Sequence, residues 1–204
     1  MEHIQEQNFI VERGSKRMKS DMTIETERLI LRKWNLDDAD SLVEGLNNYN
    51  VSRWLAKVPY PYTKDDAMKF IKYATNSENK NMELAIVLKK ENKVIGGTSI
   101  TIISDSDKIA GGGIWLSEEY HGKGYGSEAF NAKTKYSFEK LNMHRIENGY
   151  FKENIASKKM QEKLGFKDEG IRRKRFFSLA NKDYKDECIT GLLKDEYIDI
   201  SVNR

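Results

Sequence analysis

A glycine-rich segment, His121-Gly-Lys-Gly-Tyr-Gly126, is the part of this sequence whose residue types and spacing indicate chemistry most directly. It follows the apolar run Ile114-Trp-Leu116 and precedes a helix-like stretch that extends to about Leu141. A glycine-rich turn between a strand and a helix exposes backbone N–H groups, and the helix dipole favours negative charge there. The segment therefore predicts a site for a phosphate-bearing ligand.

Two common phosphate-binding patterns do not fit this segment. A P-loop requires Gly-x-x-x-x-Gly-Lys-Ser/Thr, but the residue after Gly122-Lys123 is Gly124, and no glycine stands in the first position. A dinucleotide fingerprint requires Gly-x-Gly-x-x-Gly, but counting from Gly122 puts Ser127 in the third place. Counting from Gly124 puts Ala129 in the third place and the charged Glu128 directly before it, in a position that is otherwise small. What remains is a polar residue, two spacers, a glycine, one spacer and a second glycine.

This remaining pattern resembles the pyrophosphate loop of the GNAT superfamily of acetyl-CoA-dependent N-acetyltransferases, whose usual form is Gln/Arg-x-x-Gly-x-Gly/Ala. His121 takes the place of Gln or Arg. The resemblance implies that backbone amides bind the pyrophosphate and that Lys123 lies near the phosphates. The residues expected to contact coenzyme A in this loop are His121, Gly122, Lys123, Gly124, Tyr125, Gly126 and Ser127.

A second motif, Asn154-Ile-Ala-Ser157, follows one predicted strand later. On physical grounds alone, Asn154 is a helix cap. The resemblance adds that Asn154 hydrogen-bonds the pantetheine arm and that the Ser157 hydroxyl faces the thiol. Many family members carry a tyrosine seven residues after the asparagine as the acid for the leaving thiolate, but this chain has Gln161. This helix resembles the RimJ/RimL-type branch, which acetylates protein N-termini, and so do two further segments, Thr26–Arg32 and Tyr184–Leu193.

The order of predicted elements is strand, two helices, three strands, helix, strand, helix and two strands. Thr63 with Asp66 predicts a capping box at the start of the second helix. A strand–helix–strand step across the glycine loop implies one parallel pair in an otherwise antiparallel sheet. The expected fold is α/β (α+β), the GNAT fold, with a mixed, mostly antiparallel, roughly seven-stranded sheet, one splayed parallel pair and about four helices. We expect an N-terminal extension at 1–22, one acetyltransferase domain at 23–197 and a C-terminal tail at 198–204.

The strand predicted over Gly111–Ser117 contains the run Ile114–Leu116, which is expected to splay from the strand at Arg145–Phe151. The resemblance implies that pantetheine then pairs with the free backbone of the first strand. It also implies that the thioester carbonyl meets an amide there, with Leu116 as the candidate oxyanion donor. The alternative interpretation is an ordinary core strand.

The acceptor side is predicted less sharply. An α-amine is roughly 10–15% neutral at pH 7, and a lysine amine under about 0.1%, so an α-amine acceptor needs only a weak base. Glu83 is the candidate base, with a solvated strand-end charge as the alternative. Both prolines of the chain stand in an aromatic loop, whose candidate acceptor-binding residues are Trp54, Tyr60 and Tyr62. Alternatively, these rings only hold the loop against the core.

Composition excludes several classes of function. A net charge of +3, with 33% charged residues, is too weak to predict nucleic-acid binding. No apolar run approaches the roughly 18 residues of a membrane span, and no signal peptide is apparent. A single cysteine excludes an internal disulfide and favours a cytoplasmic location. The three histidines lie far apart, so no metal site is expected.

The sequence therefore predicts an enzyme that transfers an acetyl group from acetyl-CoA to a primary amine by direct attack in a ternary complex. The expected acceptor is a protein N-terminal α-amine. Two alternatives stay open: a small amine acceptor such as an aminoglycoside or polyamine, and an acyl-CoA-binding module without transfer activity. A homodimer is plausible, because homodimers are common.

Overall fold

The computed structural model describes residues 22–76, 78–79 and 81–201 of the 204-residue chain. The predicted extension at 1–22 lies outside the described residues except for Met22, which is buried in the core. The predicted tail begins at 198. In the structure, Asp199 accepts hydrogen bonds from Asn131 and Lys135, so the chain just beyond 197 packs against the helix that follows the glycine loop.

One mixed sheet contains nine strands within the described residues: β1 (Thr23–Glu25), β2 (Leu29–Lys33), β3 (Met82–Leu88), β4 (Lys93–Ser104), β5 (Ile109–Gly111), β6 (Ile114–Leu116), β7 (Arg145–Phe151), β8 (Lys167–Ser178) and β9 (Asp183–Leu193). The strand order is β1-β2-β3-β4-β5-β7-β9-β8, and β6 pairs with β4 beside this path. The α-helices are α1 (Ala39–Leu46), α2 (Tyr49–Ser52), α3 (Lys64–Thr75), α4 (Tyr125–Glu139) and α5 (Ile155–Glu162).

The predicted architecture is confirmed. Only β5 and β7 run parallel among the described strands, and the other pairings are antiparallel. The nine observed strands exceed the expected seven for two reasons. The short β1 was not predicted, and the strand predicted over Gly111–Ser117 is divided into the end of β5 and the whole of β6.

The division between β5 and β6 falls at Gly112, whose φ is +121°, a conformation that side chains other than glycine rarely adopt. A Cβ atom there would lie 2.2 Å from the Ser99 carbonyl oxygen. Before the turn, Ala110 pairs with Ile146 on β7, and after it Trp115 pairs with Gly97 on β4. The chain therefore leaves β7 at this turn, which produces the predicted splay.

Helix caps follow the sequence signals. Thr63 and Asp66 form a reciprocal capping box at the start of α3, which satisfies two backbone N–H groups. The Asn154 side chain accepts a hydrogen bond from the Ser157 N–H at 3.1 Å and caps α5. Gly165, with φ of +95°, follows the end of that helix.

The core lies on both faces of the sheet. Along β3, Leu84, Ile86 and Leu88 contribute to a cluster that includes residues of α4, whereas Ala85 and Val87 contribute to a cluster with α1 and α3. Alternate residues of a strand face opposite sides, so Glu83 shares the α1/α3 side with Ala85 and Val87. Each face of the sheet thus has its own helices.

The turn between β5 and β6 generates a matched pair of substitutions. Gly112→Ala should lower the free energy of unfolding by about 1–3 kcal/mol, because the new methyl group meets the Ser99 carbonyl at a positive φ. In Gly113→Ala the added Cβ meets no atom within 4 Å, so its change should stay within about 1 kcal/mol. Urea unfolding followed by circular dichroism measures both. Equal losses in the two variants would contradict this account of the turn.

Candidate active site

The glycine loop ends at the uncapped N-terminus of a long helix. Gly122 and Gly124 have φ of +72° and +82°, and Gly124 is the N-cap residue of the 15-residue helix α4. Glycine has no side chain to cap the helix, so among the described residues the amides of the first turn have neither an intrahelical nor a side-chain partner. Backbone donors at the positive end of a helix dipole suit a pyrophosphate group.

Arg28, directly before β2, holds this loop in place. Its guanidinium donates to the Glu128 carboxylate at 2.6 Å and to the Lys123 carbonyl at 3.1 Å, and it lies 4.4 Å from the Tyr125 ring centre. Burial acts to raise the pKa of the Glu128 carboxyl, but hydrogen bonds from Thr26 and Arg28 outweigh it and lower this pKa. The loop is therefore fixed by a charge pair, which sequence inspection did not reveal because its partners are a hundred positions apart.

His121 connects the loop to β6. Its Nε2 atom lies 2.8 Å from the Leu116 carbonyl oxygen, so the Nε2-protonated tautomer donates a hydrogen bond to the strand. His121, in place of the Gln or Arg of the resembled pattern, therefore has a structural role. Its ring N–H acts as the hydrogen-bond donor that the side chain of Gln or Arg would otherwise supply.

The Leu116 amide faces the splay. The Ser117 N–H donates to Ile95 on β4 at 2.9 Å, and successive backbone groups along a strand point in opposite directions. The N–H of Leu116 therefore points away from β4, towards the gap that opens where β6 leaves β7. This orientation suits an extended ligand with amide groups, such as pantetheine. It also suits the Leu116 N–H as a hydrogen-bond donor to the oxygen of a thioester at the end of that ligand.

A buried hydrogen-bonded chain fixes the Ser157 hydroxyl. Gln161, only 1% exposed, donates from Nε2 to the Ser157 oxygen at 3.1 Å and accepts from Thr190 at 2.6 Å. Because the serine oxygen accepts this bond, its own O–H remains available to donate elsewhere. The Asn154 cap likewise uses only the side-chain oxygen and leaves the NH₂ group as a donor.

Gly126 brings the loop, β6 and α5 together. A Cβ atom at this position would lie 3.5 Å from Leu116 and 3.9 Å from the Met160 sulfur. The glycine loop, Leu116 on β6 and Met160 on α5 are thus neighbours.

The other face of the sheet has a cavity of about 670 Å³ beside β3, β4 and β6. Its aromatic walls are Trp34, Tyr62, Phe70, Tyr73 and Trp115. Tyr62 thus lies where the sequence predicts an acceptor wall, and burial beside Asp66 raises its pKa to about 12. Trp54 and Tyr60 lie outside the lining: Trp54 stacks on Arg53 at 4.6 Å, and the Tyr60 ring contacts Tyr49 at 5.5 Å. Acceptor binding by these rings stays a prediction.

Glu83 lines this cavity and is half-buried there. Burial raises the pKa of its carboxyl to about 6, and the nearby positive charge of Lys133 partly opposes that rise. A carboxylate with this pKa is ionised at neutral pH and accepts a proton more readily than an ordinary surface glutamate. The structure thus places Glu83 in a cleft, not at a solvated strand end, and its role as a base stays a prediction.

Lys133, a residue that sequence inspection missed, lies inside α4 and is 2% exposed. Burial lowers its pKa to about 7, against the opposing effect of the Glu83 charge. The available signal was helical spacing, because Ala129 and Phe130, four and three positions earlier, are both fully buried. That spacing places Lys133 on the buried face of the helix.

Neither a metal-ligand cluster nor a membrane-spanning helix is found in the described ranges. Residues 22–76, 78–79 and 81–201 contain no group of three or more His, Cys, Asp or Glu side chains arranged to hold a metal ion. None of the helices in those ranges is both long enough and apolar enough to cross a membrane.

Comparison with known proteins agrees with this geometry. The family model described as "Acetyltransferase (GNAT) domain" matches residues 28–167 of this chain. "Uncharacterized N-acetyltransferase p20" of Bacillus licheniformis is 32% identical over 177 residues, which cover 86% of this chain and 98% of that protein. The crystal structure of a GNAT-family acetyltransferase from Bacillus anthracis has a TM-score of 0.74 and 27% identity, and it covers 86% of this chain and 100% of its own. The chain therefore belongs to the GNAT acetyltransferase family.

It is an N-acetyltransferase that uses acetyl-CoA as the acetyl donor. A structure with this fold, the microcin C7 self-immunity acetyltransferase MccE, was solved with acetyl-CoA and AMP; it has a TM-score of 0.72 and 24% identity and covers 82% of this chain and 93% of its own. Two further relatives carry acceptor names. "Putative ribosomal N-acetyltransferase YdaF" of Bacillus subtilis is 24% identical over 84% of this chain and 94% of its own length. "Spermidine N(1)-acetyltransferase" of Vibrio cholerae is 25% identical over 76% of this chain and 87% of its own length.

Proposed function

We propose that this enzyme acetylates the α-amino group of a protein or peptide N-terminus, as a member of the RimJ/RimL-type branch. The cavity of about 670 Å³ beside β3, β4 and β6 is called the acceptor cavity below, and the charge of its lining is the observation that carries the proposal. Lys57 and Lys69 are exposed on its lining, and Glu83 is its half-buried carboxylate. The cavity's other carboxylate, Asp66, already accepts two hydrogen bonds from Thr63. Two exposed lysines beside one available carboxylate suit an acceptor that carries a single amine, which passes the lysines to reach Glu83.

A polyamine fits this cavity poorly. It carries several positive charges, each of which favours a nearby carboxylate and is repelled by a lysine. Lys57 and Lys69 line the cavity, and Lys133 adds a third positive charge near Glu83. An uncharged peptide chain following a single α-amine avoids this repulsion, and the aromatic walls offer it apolar and hydrogen-bonding contacts.

Proton removal from the acceptor is assigned to Glu83. An α-amine must lose its proton before its lone pair attacks the thioester carbon. Glu83 lines the same cavity, and its raised pKa of about 6 brings it closer to that of an α-amine, about 7.7–8.0. We assign it as the base that accepts this proton, directly or through one water molecule.

The donor-side roles follow the geometry of the splay. The amides at the start of α4, with Lys123 nearby, hold the phosphates, and the Asn154 NH₂ group orients the pantetheine. The Leu116 N–H stabilises the oxygen that becomes negative as the amine attacks. The Ser157 O–H, set by Gln161, donates to the departing sulfur. A homodimeric state and a cytoplasmic location stay predictions.

An acceptor panel tests the proposed substrate class. Release of the CoA thiol from acetyl-CoA is measured with N-terminal peptides, spermine and an aminoglycoside at matched concentrations. We expect kcat/KM to be highest for peptides, and the same peptides with a blocked N-terminus but a free lysine should release little thiol. A preference for spermine would transfer the assignment to small polyamines. If acetyl-CoA binds but no amine releases thiol, the chain is an acyl-CoA-binding module.

The base assignment predicts a specific pH dependence. Because the ionised form of Glu83 is required and its pKa is raised, kcat/KM should fall as pH drops below about 6. Glu83→Gln should lower kcat/KM by about 10²–10⁴-fold and abolish this acid limb, leaving only the limb from the acceptor amine near pH 8. Asp65→Asn, which removes an exposed carboxylate from α3, is the control and should retain it. An unaltered acid limb in Glu83→Gln would exclude this role.

The serine hydroxyl generates another prediction. Ser157→Ala should lower kcat at saturating acetyl-CoA by about tenfold, since one hydrogen bond to a developing charge is lost, while the Kd for CoA changes little. Kinetics and calorimetric CoA binding separate the two effects. Ser201→Ala, which alters an exposed serine near the C-terminus, serves as the control. Full kcat in Ser157→Ala would show that the hydroxyl does not assist the leaving group.

A further inference from the structure

Lys133 is a buried ionisable residue that the proposed chemistry does not use. It is anchored on α4, on the face of the sheet opposite the acceptor cavity, and it is 2% exposed. Its Nζ donates to the Ser99 carbonyl on β4 at 3.1 Å and to the Gly112 carbonyl in the turn between β5 and β6. The ammonium therefore lies in the plane of the sheet, at the point where the strands separate.

The groups bound by Lys133 belong to the framework of the turn. The Ser99 N–H donates to the Gly113 carbonyl at 3.1 Å, and the Gly113 N–H donates to the Ser99 hydroxyl at 3.2 Å. Thr98 also donates from its hydroxyl to the Gly113 carbonyl at 2.8 Å. Without Lys133, the carbonyls of Ser99 and Gly112 would lose a buried donor, which is costly in a dry interior. Lys133 thus completes the set of bonds that holds the splay.

Glu83 stands on the strand next to this ammonium. The register of β3 and β4 pairs Glu83 with Ser99, whose carbonyl accepts from Lys133. The positive charge lowers the pKa of Glu83, and the negative charge in turn raises that of Lys133. The other ionisable groups lining the cavity are Lys57, Tyr62, Asp66, Lys69 and Tyr73, from α3 and the loop before it. None of them contributes to either shift.

We propose that Lys133 is a positioning residue, whose ammonium clamps the turn where β5 and β6 separate and acts through the sheet on the ionisation of Glu83. A single side chain from the helix of the glycine loop thereby connects the donor half of the site to the acceptor half. Its catalytic consequence rests on the proposed role of Glu83 as the base. The pair also explains a buried lysine energetically, because two carbonyls and one carboxylate offset part of its desolvation.

The direction of the effect follows from the charges. Near pH 6, where Glu83 titrates, Lys133 is largely protonated because its own pKa is about 7. Removal of this positive charge makes the carboxylate harder to form, so the pKa of Glu83 rises. The acid limb of kcat/KM should then move to higher pH by about one unit.

Lys133→Met tests this inference in the full-length enzyme with its best peptide acceptor. We expect the acid limb to move to higher pH and the Kd for CoA to increase about three- to tenfold, since the β5–β6 turn loses its clamp. Lys133→Arg, which keeps the charge, should leave the limb closer to the wild-type position. Lys140→Met, which removes an exposed lysine just beyond α4, is the control and should change neither quantity. A wild-type limb in folded Lys133→Met would overturn the inference.

A reciprocal measurement avoids any change at Lys133 and does not depend on catalysis. The pKa of Lys133 is measured from its side-chain NMR signals in the wild type and in Glu83→Gln. Because coupling between two ionisations is mutual, loss of the carboxylate should lower the pKa of Lys133. An unchanged pKa would overturn the inference. If this pKa falls but Glu83→Gln remains fully active, the coupling is upheld and only the base role fails.

Discussion

The separation of β6 from β7 is the constraint on which the rest of this structure depends. Up to Ala110 the chain pairs in parallel with β7, and two residues after Gly112 it pairs only with β4 among the described strands. A continuous strand would satisfy its amides within the sheet and would leave neither an opening nor a free Leu116 N–H. Gly112 permits the divergence through its positive φ, and Lys133 secures the carbonyls that the divergence exposes. The opening between β6 and β7 therefore accompanies a turn that Gly112 allows and whose carbonyl accepts a hydrogen bond from Lys133.

The features predicted from sequence are those whose causes lie within a few residues of one another. The capping box of Thr63 and Asp66, the asparagine cap at Asn154 and the glycine turn at Gly124 each need only a local hydrogen bond or a local backbone angle. Strand and helix order follows from alternation and helical spacing, which also act locally. Resemblance to a known family then indicated the fold and the acetyl donor, which local signals alone leave open.

Features that depend on distant partners were not predictable in the same way. The bond between Arg28 and Glu128 and the bonds from Lys133 to β4 join residues that meet only after the sheet has formed. The division of the Gly111–Ser117 strand was also missed, because three consecutive glycines fit either a strand or a turn until the contact between Gly112 and Ser99 decides. Burial also depends on residues that are distant in sequence. The pKa of Glu83 is raised because other elements of the fold cover its carboxyl.

Gln161, in the position where many family members have tyrosine, changes what the donor side can do. Its amide bridges Thr190 and Ser157, so the group nearest the departing sulfur in the proposed reaction is an aliphatic hydroxyl in place of a phenol. Such a hydroxyl is too weak an acid to surrender its proton, but it can donate a strong hydrogen bond to a thiolate. A thiol has a pKa of about 8.5, so its anion is a tolerable leaving group near neutral pH and needs stabilisation more than protonation. The harder requirement then lies on the acceptor side, where an amine proton must be removed. There the cavity is lined by the half-buried Glu83, whose cross-strand neighbour Ser99 accepts a hydrogen bond from Lys133.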